Sequence, residues 1–584
     1  MYFTKDHKTI PMFDPWASLG PKRRRLMEES WAGLFRKEIF NELPVNKLRP
    51  FFSSGTGRPS KELYTAAGAI VLQQMHDLSD EETISQVAFN QQWQYALDIR
   101  QTSDEATYIC EKTLWNMRSI MMEHGLDESV FQCVVEKLGR VFSVDFSRQR
   151  LDSVHIHSNM KRLGRIGIVA RSIRKFLVNL KRQHPELAEK VCGEILEKYV
   201  AEKAMGCFSM VKPSESQKTL EEVCRDLFAL VSQFKAQPVV MAMHSYKLLE
   251  RVLCEQCIVV EAQGDDSCDQ VAVRANKQIC SDSLQNPSDA DAGYDGHKGQ
   301  GYQAQIMETY TQEEDPEKKA ATLNLITHVV LEPAHKSDVH AVMPALESTQ
   351  ARGIAPKEVV CDSLYGSQEN LQKAQELGVE ILSPVMGSGS ENTESLGAFQ
   401  YGDTGEVTMC PQSNKPLQVK KRKHRHTAVF SCEQCGSCPV FEQCAVKKGK
   451  RFYYLRYDDK ARRCAQRRAI QETAEFKDRY RWRAGVEATM SALDRRTGLK
   501  HLRVRGLKAV RFCAVLKAAA INIIRATAVR RARKATSGPL QQVLSYLRDR
   551  YEVVKERCLS FFDRLIRFCI AGSVSTVLKP KITF

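Results

Sequence analysis

Three acidic residues stand where chemistry could be done. Asp152 lies inside the apolar, strand-like run RLDSVHIHS, and Asp362 follows the apolar run VVC at what reads as a strand end. Glu487 sits in RYRWRAGVEATMSAL, a segment of helical character. Two strand-borne aspartates and a helix-borne glutamate can converge on one face of a mixed sheet and offer oxygen ligands to hard divalent cations. A pair of such ions, roughly 3.5 to 4 Å apart, suits phosphodiester chemistry: one lowers the pKa of an attacking water or 3′-hydroxyl while the other stabilises the leaving oxygen. Tyr480 and Arg483 stand seven and four residues before Glu487. On one helix that spacing puts all three on a shared face, where the arginine could contact a phosphate and the tyrosine could orient or stack. His155 and His157 fall three and five positions past Asp152, so on a strand both point away from it.

A second group able to bind an ion is CEQCGSCPVFEQC, which brings Cys432, Cys435, Cys438 and Cys444 close together, with Cys410 earlier in the chain. CxxC steps in a chain with reduced thiols can wrap a tetrahedral Zn²⁺, and here five cysteines compete for four places. A closed four-thiolate site would be structural, since it leaves no position open for substrate. Cations crowd the stretch after Glu487: Arg495, Arg496, Lys500, Arg503, Arg505 and Lys508 lie together, and no Asp or Glu occurs from Arg495 to Arg548. A DNA backbone should lie there, with binding that weakens steeply with salt. The runs KKRKHRH at 420–426 and KRRR at 22–25 are further basic patches.

The elements that must position these residues follow from periodicity. Residues 18–125 carry apolar residues at three- and four-residue spacing and predict a small helical head, in which Ser60 is placed to cap the helix after SSGTGRPS. Short strand-like runs begin with VFSVDFS and RLDSVHIHS and return at 301–309, 323–332, 357–361 and 378–385. A mainly helical stretch at 161–250 and a Gly/Ser- and Cys-rich stretch at 386–450 interrupt them, each too long for a loop. The expected architecture is α/β: a mixed-sheet core over 142–525 with two insertions, a helical head and a helical C-terminal region, 526–584. The 584 residues hold 86 Lys and Arg against 70 Asp and Glu, a net charge of +16 that favours a polyanionic partner. With 19 cysteines and an N-terminus, MYFTKDHKTIPMF, that lacks the apolar core of a secretory signal, the expectation is reduced thiols and a cytoplasmic protein. The late stretch FFDRLIRFCIAGSVSTVL is interrupted by Asp563, Arg564 and Arg567, so no membrane span is expected.

The strings LDSVHIHSNMK at 151–161, CDSLYGSQENL at 361–371 and YRWRAGVEATMSALDRRTGLKHLRVRG at 480–506 resemble, in order, the three acidic motifs of bacterial insertion-sequence DDE transposases. The family signature of Tyr, two residues, Arg, three residues, Glu, six residues and Lys is met by Tyr480, Arg483 and Glu487, with Asp494 at the lysine position beside Arg495 and Arg496. GTGRPSKELYTAAGAIVLQQMHDLSDEETISQVAFNQQWQYAL resembles the InsH-type N-terminal domain of these enzymes, and SDADAGYDGHKGQGYQAQIMET resembles the strand before their second aspartate. The resemblance implies a ribonuclease-H-like DDE catalytic core, with Asp152, Asp362 and Glu487 as Mg²⁺ ligands and Mn²⁺ able to substitute. It also implies action on an element's terminal inverted repeats and on target DNA, carried out by at least a homodimer, in the bacterial cytoplasm at the nucleoid. Similar transposases carry a Cys-Pro and then a CxxC with a further Cys, which favours Cys410, Cys435, Cys438 and Cys444 as zinc ligands, with Cys432 as the alternative. Two other classes compete: a catalytically silent, transposase-derived DNA-binding regulator, and a ribonuclease-H-like nuclease that only hydrolyses.

Overall fold

The computed structural model describes residues 2–9, 15–53, 59–201, 211–260, 270–387, 395–423 and 425–536, with 55, 57, 208, 551 and 555 as single residues. Apart from the last two, the expected tail beyond 536 lies outside them, as does the whole of FFDRLIRFCIAGSVSTVL. The head is helical, as its apolar spacing predicts: α1 (Pro21–Glu29), α2 (Leu63–His76), α3 (Asp80–Phe89) and α4 (Glu111–Glu123), followed by α5 (Leu126–Phe142). α2 is buried on almost every side and forms the centre of the head. Its cap is Glu62, whose carboxylate accepts from Thr65 N, rather than Ser60, whose hydroxyl instead accepts from Phe3 N. The expected strand VFSVDFS does not form. Val141 and Phe142 complete α5, Ser143 turns the chain at φ 52°, and Asp145 accepts from Ser147 N in a tight turn.

β1 (Arg148–His157) opens the central sheet. The first insertion follows, with α6 (Arg165–Gln183), α7 (Ser216–Phe234), α8 (His244–Gln256) and the antiparallel pair β2 (Cys257–Val260) and β3 (Gln270–Val273). The sheet resumes with β4 (Gly293–Asp295), β5 (Gly299–Thr309) and β6 (Ile326–Pro333); then come α9 (Val342–Ala351), β7 (Glu358–Cys361), α10 (Gln368–Glu376) and β8 (Glu380–Leu382). β5 lies between β1 on one edge and both β4 and β6 on the other, all antiparallel to it, while β7 and β8 run parallel to β1. Leu151 is in register with Cys361, so Asp152 and Asp362 come next at the same level of two adjacent parallel strands.

The second insertion builds its own sheet. β9 (Gln400–Tyr401) and β10 (Val407–Met409) pair, and β11 (Gln418–Arg422), β12 (Arg425–Phe430), β14 (Tyr453–Asp458) and β13 (Lys447–Lys448) follow in that spatial order. This sheet continues past 450 to Asp458. α11 (Asp459–Gln471), α12 (Ala474–Tyr480), α13 (Gly485–Thr497) and α14 (Leu507–Thr536) complete the fold.

One apolar core runs through the head, the sheet and α13–α14, joining Phe40, Ile70, Phe131, Ile156, Ile306, Leu493 and Leu516. α14 packs on α2, α5 and β6, so the head and the sheet share one interior, and the boundary drawn at 525 falls inside this helix. α14 is long and apolar enough to cross a membrane, but 83 % of its most apolar window is buried in the protein. Each insertion has a separate core, around Phe176, Leu227 and Tyr246 in the first and around Phe399, Phe430 and Leu455 in the second.

Candidate active site

Sheet register brings Asp152 and Asp362 together, and the turn after α12 supplies the cation between them. Arg483 Nη2 donates to Asp152 Oδ2 at 2.9 Å and lies 4.0 Å from Asp362 Oδ2. Asp152 Oδ1 accepts from Ser153 N at 2.9 Å, and Asp362 caps a short helical turn, Ser363–Tyr365, by accepting from Ser363 N at 2.7 Å. The Asp152 side chain is only 19 % exposed whereas that of Asp362 is 45 % exposed, so the two carboxylates differ in kind. Burial pushes the Asp152 carboxyl above its usual value; Arg483 pulls it back, and the neighbouring charges of Asp362 and Asp338 add to the rise. Burial opposes the Arg483 charge, but Asp152, Tyr480, Asp362 and Glu487 together raise its pKa. Burial takes the Tyr480 hydroxyl up to about 12, and its ring stacks on Phe476.

Tyr480, Arg483 and Glu487 were expected on one helix, and the structure divides them. Tyr480 ends α12, Arg483 lies in a tighter turn, Arg481–Ala484, and Glu487 is exposed in the first turn of α13. The break has a local cause. Arg150 Nη1 takes the carbonyl of Trp482 at 2.7 Å, and its guanidinium occupies the space that a side chain at Gly485 would fill. The result turns Arg483 towards the sheet while leaving Glu487 one helical turn away. His155 and His157 stand apart from this cluster: burial lowers the His155 pKa to about 4, and the His157 ring stacks on His501.

Among the described residues no three His, Cys, Asp or Glu side chains stand close enough together to hold a metal ion. Between the aspartates the positive charge is that of Arg483 itself. The donor set still fits a hard cation, since it consists of carboxylate oxygens gathered around a place that already favours positive charge.

Of the basic stretch, Arg495 and Arg496 are exposed at the end of α13, Lys500 is half-buried, and Arg503, Arg505 and Lys508 are exposed. Arg503 lies 3.8 Å from Asp77 and 3.6 Å from Glu82 of the head, and Arg505 reaches Met160. Asp494, at the signature lysine position, accepts from Lys500 N at 3.3 Å and so braces this loop.

The cysteines gather in the second insertion. Cys410, Cys435 and Cys444 pack against its core, burial pushes the Cys435 thiol up to about 11, and Cys444, Cys410 and Cys438 add to that rise. Cys432 is exposed, and its thiol donates to Arg451 O at 3.1 Å. Two acidic residues escaped the sequence reading. Asp338, in the turn after β6, bonds Gln305 and reaches Ser153; Glu308 is fully buried on β5 between Arg150 and Arg525. Glu308 had a signal, a lone acid within the apolar strand QAQIMET; Asp338 had none.

Residues 29–119 match a family described as a transposase domain (DUF772), and residues 409–527 match one described as a transposase DDE domain. The second match takes in Tyr480, Arg483, Glu487 and the cysteines, while Asp152 and Asp362 lie outside it. No curated protein and no solved structure matches the chain. With one match in the head and the other across the Tyr-Arg-Glu motif, the two family matches support an insertion-sequence DDE transposase.

Proposed function

We propose that this DNA transposase cuts at the terminal inverted repeats of its element and joins the freed ends to target DNA, using Asp152, Asp362 and Glu487 around divalent ions. The observation that carries the reading is the meeting of Asp152 and Asp362 on Arg483 at the ends of adjacent parallel strands, with Glu487 one helical turn further on. A central β1, with antiparallel β5 and then β6 on one side and the parallel strands β7 and β8 on the other, supports a ribonuclease-H-like core. Mg²⁺, or Mn²⁺ in its place, would be held by the two aspartates and the glutamate. When bound it supplies activation of the attacking oxygen and neutralisation of the leaving one.

The chain's own residues do the rest. Arg483 balances the two aspartates, and with ions bound there its guanidinium would be available to a phosphate. Tyr480, held neutral by its raised pKa, can donate to a phosphate oxygen or stack beside the strand. Arg495, Arg496, Lys500, Arg503, Arg505 and Lys508 would carry the flanking duplex. Two ends have to be joined, so the working form on DNA is at least a dimer, acting in the cytoplasm at the nucleoid.

The test is incubation of the full chain in Mg²⁺ with a DNA fragment bearing the repeats that flank its gene. Cleavage with strand-transfer products is expected. Cleavage without joining would replace this reading with the nuclease, and binding without cleavage would replace it with the regulator.

Cys410, Cys435, Cys438 and Cys444 are proposed as a structural zinc site, with Cys432 set aside because its thiol is engaged with Arg451. Burial, with the neighbouring thiols adding to it, pushes the Cys435 and Cys444 thiols up, a cost that a zinc ion binding the thiolates would relieve, and binding energy would then become folding energy. One zinc per chain is expected by elemental analysis. Cys435→Ser should lose it and melt roughly ten degrees lower, while Cys432→Ser should do neither. A zinc-free wild type would overturn the site.

A further inference from the structure

Beneath the two aspartates lies a buried hydrogen-bonded chain that the proposed chemistry leaves unused. Ser153 and Gln305 are cross-strand partners on β1 and β5, and strand alternation puts them on the sheet face opposite Asp152. Gln305 is fully buried. Its Nε2 donates to Asp338 Oδ1 at 2.6 Å, and its Oε1 accepts from Tyr365 OH at 2.7 Å. Asp338 begins the turn after β6, and Tyr365 ends the turn that Asp362 caps. A second buried amide braces the same two turns: Asn370 Nδ2 donates to Val339 O at 2.7 Å and to Tyr365 O at 2.9 Å. The loop after β6, the strand pair carrying Asp152 and the turn carrying Asp362 are thereby tied together through buried, hydrogen-bonded side chains.

We infer that Asp338 is a positioning residue for the reaction: through Gln305 and Tyr365 it fixes the separation of Asp152 and Asp362. The inference rests on the proposed roles of those aspartates. Amide and phenol groups this deeply buried must be bonded: Gln305 is held between Asp338 and Tyr365, and the Tyr365 hydroxyl also has Ser153, which reaches Asp338, beside it, so the geometry is strongly set. The spacing of two carboxylates that share ions tolerates little error, because a misplacement of about 1 Å costs on the order of a hundredfold in rate. Asp338 acts here through the acceptor oxygen that it presents to Gln305, so an asparagine, which presents the same oxygen, should replace it.

The experiment uses the full chain and the repeat-bearing DNA, with cleavage at saturating DNA measured as Mg²⁺ is titrated. Asp338→Ala and Tyr365→Phe are expected to lose roughly ten- to a hundredfold in rate and to need more Mg²⁺. Their DNA affinity should stay at the wild-type level, and Tyr365→Phe, which keeps the buried ring, should also keep its melting temperature. Asp338→Asn should recover most of the loss. The inference is overturned if Asp338→Asn fails as badly as Asp338→Ala, which would make the charge the active feature, or if Asp338→Ala cuts like wild type. Failure of the site reading looks different, since wild type and Asp152→Ala would then cut alike. In that event amide exchange over 358–370 still decides the matter: it should quicken in Asp338→Ala and Tyr365→Phe but not in Asp338→Asn, and unchanged exchange in all three would overturn the inference.

Discussion

Asp152→Ala is expected to lower both cleavage and joining by at least about a thousandfold while leaving DNA binding intact, and Asp362→Ala and Glu487→Ala should do the same. If the three act as one ligand set, as proposed, the double variant Asp152→Ala/Asp362→Ala should be little worse than either single one. Asp152 carries a further signature. Because burial holds its carboxyl above the usual value, a proton would compete with the proposed metal ion at that group at a higher pH than an ordinary aspartate would allow. Raising Mg²⁺ should therefore shift the acid limb of the wild-type rate profile to lower pH. Binding is expected to survive because the cations from Arg495 to Lys508 are separate from the carboxylates, and removing a negative charge beside phosphate can only strengthen it. Measurement of cleavage, joining and DNA affinity on the same preparations checks this. Wild-type cutting by Glu487→Ala would remove that residue from the set and turn attention to Asp338, the other carboxylate whose charge reaches Asp152.

The strands that carry the two proposed aspartates were more legible than the contacts around them. Asp152 and Asp362 stood out because each follows or sits within an apolar run that reads as a strand, and five of the six strands of the central sheet came out within a few residues of the expected positions. Strand register, which sets the two aspartates level, is a long-range property that no local pattern carries. The break between Tyr480 and Glu487 was illegible for the same reason: it depends on Arg150, more than three hundred residues earlier, taking the Trp482 carbonyl. Helical spacing assumed continuity there, and a tertiary contact overrode it. VFSVDFS failed differently. Its alternation of apolar and polar residues fits a strand, but Val141 and Phe142 were already committed to the last turn of α5, where Phe142 is buried. The shared interior of head and sheet was hidden because α14, which joins them, follows the head by hundreds of residues.

The contact that joins these layers under the site is polar, and it sets the second large expectation. Glu308→Gln should destabilise the core by about 3–5 kcal/mol, the usual cost of breaking a buried ion pair from one side, and lower its melting by roughly five to eight degrees. Glu308 is fully buried. One carboxylate oxygen accepts two bonds from Arg150, at 2.8 and 2.7 Å, the other accepts from Arg525 at 2.8 Å, and Thr489 Oγ1 is within 2.7 Å of both. Those partners come from β1, α14 and α13, and Thr489 lies two residues from Glu487, so the helix that bears the glutamate is anchored to the sheet through this carboxylate. A glutamine keeps the volume but leaves two guanidinium groups without their counter-charge in the interior. The pH dependence has a definite sign. Burial alone would raise the Glu308 pKa, but Arg525, Arg150 and Thr489 together bring it below the usual 4.5. Its contribution is therefore fully present above that value and disappears only as the pH falls through the lower folded-state pKa. The wild type should lose this increment only in strongly acidic solution, and Glu308→Gln should have no such step. Removing a cation as well, in Glu308→Gln/Arg525→Met, should recover part of the loss, because one uncompensated charge then leaves the interior. Thermal melts of the three proteins from neutral to acid pH decide it. A glutamine variant that melts with the wild type would mean that solvent reaching Arg150 and Arg525 screens the cluster, and that α13 is held to the sheet by apolar packing of Val486 and Leu493 alone.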